Sequence, residues 1–142
     1  MKIKYLKLKN WLLVSMATLL GLNTACDLST TEEYGCPYAD FHVKGKVTDP
    51  NGVPIPGIQV SMDYDFDTTD AEGQYAVQSG RIPGNETVFD VVFSDVDGAE
   101  NGLFKNDTVP VTFQQSELTG GDGWYEGSAT QTLNVTLQRL EE

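Results

Sequence analysis

Oxygen-bearing side chains gather twice along the chain. The run DVDGAEN places Asp95, Asp97, Glu100 and Asn101 around a glycine. Calcium takes several hard oxygen ligands at such short spacings, although the downstream glutamate of an EF-hand loop is missing here. Asp63, Asp65 and Asp67 alternate along a second run, and like charges so spaced repel unless they are solvated or countered by an ion. A calcium site needs the two runs to meet at one end of the fold; otherwise they are acidic surface and a glycine turn. The segment GGDGWYEG holds Trp124 and Tyr125 among glycines. An indole and a phenol so placed can grip a sugar or a peptide, or can cap the end of a core together with Tyr34 and Tyr38. Nine residues separate Cys26 from Cys36, which excludes a CxxC redox pair. His42 lies beside Lys44 with no local partner for general-base work. One histidine and two cysteines are too few for a His- or Cys-rich metal cluster. No catalytic residue is indicated, and the chain reads as non-enzymatic.

These residues must be carried by strands. Phe41, Val43, Gly45 and Val47 alternate with polar neighbours, the period of a half-buried strand. Asp49-Pro50-Asn51-Gly52 is a turn, and Pro54 and Pro56 keep the following connection out of any helix. Ile58, Val60, Met62, Tyr64 and Phe66 then alternate with polar residues through Asp67, predicting one long strand with all five on the inner face. A turn at 70–73 leads into a short strand over 74–78 with Tyr75 and Val77 inward. Residues 87–94 are apolar on both faces, as in a central strand. Val109, Val111 and Phe113 share a phase, and so do Leu133, Val135 and Leu137, whereas 114–127 reads as an irregular glycine-rich excursion. The expectation is an all-β, seven-stranded Greek-key sandwich over residues 40–142.

The 142 residues allow one domain of ordinary size, and 21 acidic against 9 basic residues give a net charge of −12. That sign argues against nucleic acid as a partner. Four of the bases are Lys2, Lys4, Lys7 and Lys9, and a mostly apolar run from Trp11 to Leu22 follows. The run is too short to span a bilayer comfortably, and no second one follows it. Thr24 and Ala25 then precede Cys26. This start resembles a bacterial lipoprotein signal of the relaxed kind found in Bacteroidota, with Leu22 four residues before the cysteine and Asn23 in the usual leucine place. The resemblance implies cleavage after Ala25 and lipidation of Cys26; a plain secretory cleavage nearby and an uncleaved anchor are the alternatives. Residues 1–25 are then a signal peptide and 26–39 a polar, lipidated tether. The mature chain keeps five bases, Lys44, Lys46, Arg81, Lys105 and Arg139, against all of the acids. Acyl chains contribute about 0.8 kcal/mol per buried methylene, and several together make a stable anchor. The acidic tether resembles a signal for the outer membrane.

Two stretches, GKVTDPNGVPIPGIQVSM (45–62) and TTDAEGQYAVQ (68–78), resemble the carboxypeptidase regulatory-like and transthyretin-like domains, whose pattern is matched by Gly45, Val47, Asp49, Gly52, Pro56, Gly57, Val60, Thr69, Asp70, Gly73 and Tyr75. That resemblance implies the fold and no activity. EYGCPYADFHVKGKVTD (33–49) and DVDGAENGLF (95–104), taken with the signal, are similar to the radical-SAM-associated lipoproteins of Bacteroidales. The similarity implies an accessory or interaction module of the envelope, partnered with a radical SAM enzyme or other envelope proteins and with the lipid bilayer through Cys26. Alternatives are a substrate of that enzyme modified at or near Cys36, or a calcium- or carbohydrate-binding domain. Calcium is the one cofactor in question.

Overall fold

The computed structural model describes residues 35–141. The signal segment, Cys26 and Tyr34 lie outside them. Nine strands form among the described residues: β1 (Tyr38–Thr48), β2 (Ile58–Met62), β3 (Asp65–Thr68), β4 (Gln74–Arg81), β5 (Glu86–Asp95), β6 (Asp107–Gln114), β7 (Thr119–Asp122), β8 (Tyr125–Thr132) and β9 (Val135–Thr136). They make an all-β fold of two sheets. One runs β4-β1-β8-β7, with β9 also paired to β1; the other runs β3-β2-β5-β6. All pairings are antiparallel except those of β1 with β8 and with β9.

The core lies where the inward phases face each other. Ala39, Phe41, Val43 and Val47 of β1, Tyr75 and Val77 of β4, and Phe89, Val91 and Phe93 of β5 are all buried. Three rings meet at its centre, with Phe41 5.1 Å from both Phe89 and Phe113. Tyr75 meets Phe93 edge-on at 5.5 Å. Each fully buried ring or branched chain contributes about 1.5–3 kcal/mol. Gly45 takes an inward position of β1 without a side chain because the Leu133 carbonyl passes over it, and a Cβ there would collide with that oxygen. The Tyr75 hydroxyl donates to the same carbonyl at 2.7 Å. Burial raises the Tyr75 phenol well above its ordinary pKa.

Two turn aspartates organise the connections. The Asp49 carboxylate accepts the N–H groups of Asn51 at 2.8 Å and Val53 at 2.9 Å. Asp70 accepts those of Glu72 at 3.0 Å and Gln74 at 2.8 Å. Buried Thr69 donates to the Ile55 carbonyl and accepts the Ile58 N–H. Hydrogen bonds and packing thus account for much of the sequence pattern at 45–78.

The strands differ from the expected seven in two places. The expected strand over 58–67 is a hairpin: Asp63 adopts φ +53°, and Met62 pairs with Asp65 and Ser61 with Phe66. Asp is one of the few residues besides Gly that tolerates this conformation. The reversal flips the parity, so Asp65 and Asp67 share the side of Met62 and Val60, while Phe66 turns outward. Tyr64 and Phe66, expected inward, are exposed. The expected irregular excursion is also a hairpin: β7 returns through a tight turn, with Asp122 opposite Tyr125, into β8. Strand β1 begins at Tyr38, and Ala39 is fully buried, so the last two residues of the expected tether already carry strand.

Candidate functional site

The two acidic runs do not meet. Asp95 pairs with Ile58 at the start of β2, whereas Asp63 follows Met62 at its end, about 13 Å away along the strand. Asp95 ends β5, where its Oδ2 accepts the Phe104 N–H at 2.8 Å and its own N–H donates to Asn106 Oδ1 at 3.0 Å. Its Oδ1 is buried without a protein partner. Asp97 accepts the Asn101 side-chain amide and sits over Gly57, leaving no room for a Cβ there. Glu100 is exposed. Among the described residues, no three acidic, histidine or cysteine side chains gather as a metal-ligand set. Within the expected calcium quartet, Asp95 Oδ2 and Asp97 Oδ2 clasp the loop through a backbone and an amide donor, while Asp95 Oδ1 and Glu100 take no part in that clasp.

Asp63, Asp65 and Asp67 line the rim between the sheets instead of facing solvent from one strand. Asp67 Oδ2 accepts the Ala76 N–H at 2.9 Å and Asp65 Oδ2 the Gln78 N–H at 2.8 Å. Asp63 holds Arg81 through both oxygens at 2.7 and 2.8 Å and accepts the Ser79 hydroxyl. The side chains of β3 thereby supply what a neighbouring strand would supply to the outer edge of β4.

Trp124 and Tyr125 stand at the tip of the β7–β8 hairpin, where Gly123 at φ +61° makes the turn. The Trp124 carbonyl accepts the Tyr38 N–H at 2.9 Å. The Tyr125 and Tyr38 rings lie 5.1 Å apart. The indole packs against the backbone of Gly35, where a Cβ would sit 3.4 Å from the ring. Tyr38 is thus part of the same cap, at the point where the chain joins the domain. Cys36, one residue from Gly35, is free and exposed.

His42 is half-buried on the outer face of the five-stranded sheet, between Gln78 on β4 and Thr130 on β8. With Lys44, Gln78, Ser128 and Thr130 it lines a shallow groove of about 500 Å³. Sequence reasoning missed this set because Ser128 and Thr130 fell between the stretch read as irregular, 114–127, and the strand expected around Leu133, Val135 and Leu137. Their alternation with Gly127 and Ala129 was the available signal, but small inward residues mute the period.

The fold and the cap define an all-β two-sheet domain with exposed Tyr38 and Trp124 where the chain joins it and exposed Phe66 apart from them on β3. No family model matches the chain, and no curated protein matches it at a significant level.

Proposed function

We propose that this protein is a lipid-anchored accessory or interaction module of the bacterial envelope, held at the outer membrane through Cys26 and lacking a catalytic role. The lysine-rich start, the apolar run over 11–22 and the small residues before Cys26 carry this reading. Its fit to the domain supports it. The tether from Cys26 to Gly35 is short, the acidic clusters act as hydrogen-bond acceptors within the fold, and exposed Trp124 and Tyr38 lie where the tether meets the domain. The finer fold assignment is a transthyretin-like or carboxypeptidase regulatory-like sandwich. It draws support from Asp49, Thr69, Asp70 and Gly73, which organise the turns that the resemblance singles out. Association with a radical SAM enzyme system belongs to the same proposal.

Intact-mass measurement on the protein extracted from native envelopes tests it. The expected species begins at Cys26 and carries acyl chains; a soluble species that retains Lys2–Lys9, or one without acyl mass, overturns the reading. Cys36 favours a second reading, since its thiol is exposed and free. In that case the domain is the enzyme's substrate, and the same spectrum carries a further mass that maps to the peptide around Cys36.

A further inference from the structure

Exposed apolar side chains are distributed unevenly over the two ends of the sandwich. At the end where Gly35 joins β1, Tyr38 is 49%, Trp124 42% and Ile82 57% exposed, and Tyr64 is fully exposed. Their neighbourhood follows from the register. Ala39 pairs with Arg81, which sets Tyr38 across from Ile82. Arg81 grips Asp63, which places the Tyr64 turn at the same end. Tyr38 bonds to the carbonyl of Trp124. The opposite end, beyond Thr48, exposes only aliphatic side chains of this size: Val53, Val96 and Leu140.

Tyrosine and tryptophan, each with an apolar body and a polar tip, are the side chains suited to the boundary between lipid headgroups and acyl chains. We infer that the rim formed by Tyr38, Tyr64, Ile82 and Trp124 rests on the bilayer surface and fixes which way the domain stands. The inference rests on the anchoring reading and adds a second, non-covalent contact to it. The length of chain outside the described residues limits the geometry: nine residues from Cys26 to Gly35 span at most about 32 Å, so an anchored Cys26 keeps this end, rather than the other, within reach of lipid. Loose attachment then becomes oriented docking, because the covalent anchor raises the effective concentration of a weak interfacial contact. The acids around the rim (Asp40, Asp63, Asp122 and Glu126) outnumber Arg81, so the lipid that suits it is zwitterionic rather than anionic.

Trp124 is the lone tryptophan of residues 26–142 and serves as its own reporter. The chain 26–142 carrying C36S is coupled through the Cys26 thiol to a maleimide lipid in phosphatidylcholine vesicles, so attachment does not depend on what the cell does to Cys26. The expected result is a blue shift of Trp124 emission on attachment and partial loss of that emission with brominated phosphatidylcholine, because tryptophan settles at the membrane–water boundary. The double variant W124F/V53W moves the indole to the opposite end, and its emission is expected to stay unshifted and unquenched. The inference is overturned if Trp124 is indifferent to the brominated lipid or if both positions are quenched alike. It is equally overturned if Trp124 is already blue-shifted without vesicles and stays unquenched on them, because the tether would then cover the rim. Failure of native acylation in the mass measurement would leave this result unchanged, so the two readings fall separately.

Discussion

The five-stranded sheet ends in two unlike edges. Along β4, the outward N–H groups of Gln74, Ala76 and Gln78 are each taken by a carboxylate, from Asp70, Asp67 and Asp65 at 2.8, 2.9 and 2.8 Å. On the other side the sheet ends in β7, four exposed residues with the sequence TGGD that pair only with 125–128 of β8. Beyond β7, Gln131 bridges from β8 to the Thr112 carbonyl and to Glu117. One edge is closed by charged side chains that no incoming strand can displace cheaply; the other is closed by brevity and glycine. Both are recognised ways of blunting a sheet edge against unwanted strand addition. The difference shows how the acidic composition serves the fold: some aspartates that resemble a metal site stand in for a missing strand.

The comparison breaks first at the glycine edge. Gly127 has φ +104°, and a Cβ there would sit 2.4 Å from the Thr119 carbonyl oxygen. Gly127→Val is expected to combine backbone strain with overpacking and to lower unfolding stability by about 3 kcal/mol. Urea denaturation followed by Trp124 fluorescence measures it. An unchanged midpoint would show that β7 is decoration and that β8 itself forms the true edge.

At the charged edge, the double variant Asp65→Ala, Asp67→Ala strands the Ala76 and Gln78 N–H groups. Water replaces much of what is lost at an exposed rim, so about 2 kcal/mol is expected for the pair. The more telling consequence is association: with its donors free, β4 is expected to pair with a second copy, visible as a concentration-dependent dimer in sedimentation. Asp65→Asn with Asp67→Asn sharpens the point, because an amide oxygen still accepts while the charge is gone. Retained stability with new dimers would mean that geometry holds the edge and charge defends it; a monomeric asparagine variant would assign both roles to the hydrogen bonds.

How much of this was legible in the sequence follows from what each residue signals locally. The inward residues of β1, β4 and β5 alternate without interruption, and Phe41, Val43, Tyr75, Val77, Phe89 and Phe93 are buried as their period requires. The β2–β3 reversal left no such mark. Its turn contains no glycine, and the alternation continues through it in sequence while inverting in space, so Tyr64 and Phe66 were expected inside and Asp65 outside. The β7–β8 hairpin was hidden by its glycines, which carry no polarity. Parallel pairing of β1 with β8 joins residues about ninety apart, and no local pattern encodes it. For the site, the aromatic pair at 124–125 and its company with Tyr38 could be read from position and type, whereas the place of Tyr64 and Ile82 on the same rim depends on register alone.

Asp49 supplies the smallest expected effect and separates a carboxylate inside the fold from those along the rim. Its pKa is held below the ordinary value, first by the Val53 N–H and then by the Asn51 N–H and the Arg139 guanidinium at 3.6 Å, against an opposing contribution from burial. A depressed folded-state pKa means that the unfolded chain binds the proton more readily. The stabilisation is therefore complete above the unfolded value of about 3.9 and is lost as pH falls through the lower folded one. Asp49→Asn keeps an acceptor for the turn but cannot titrate, so it should flatten the acid limb of a stability-against-pH curve while changing neutral stability little. Arg139→Ala should shift that limb slightly upward in pH, because it removes one of the weaker contributions and leaves the two N–H groups in place. A limb identical in all three proteins would show that the Asp49 turn does not carry the acid sensitivity of the fold.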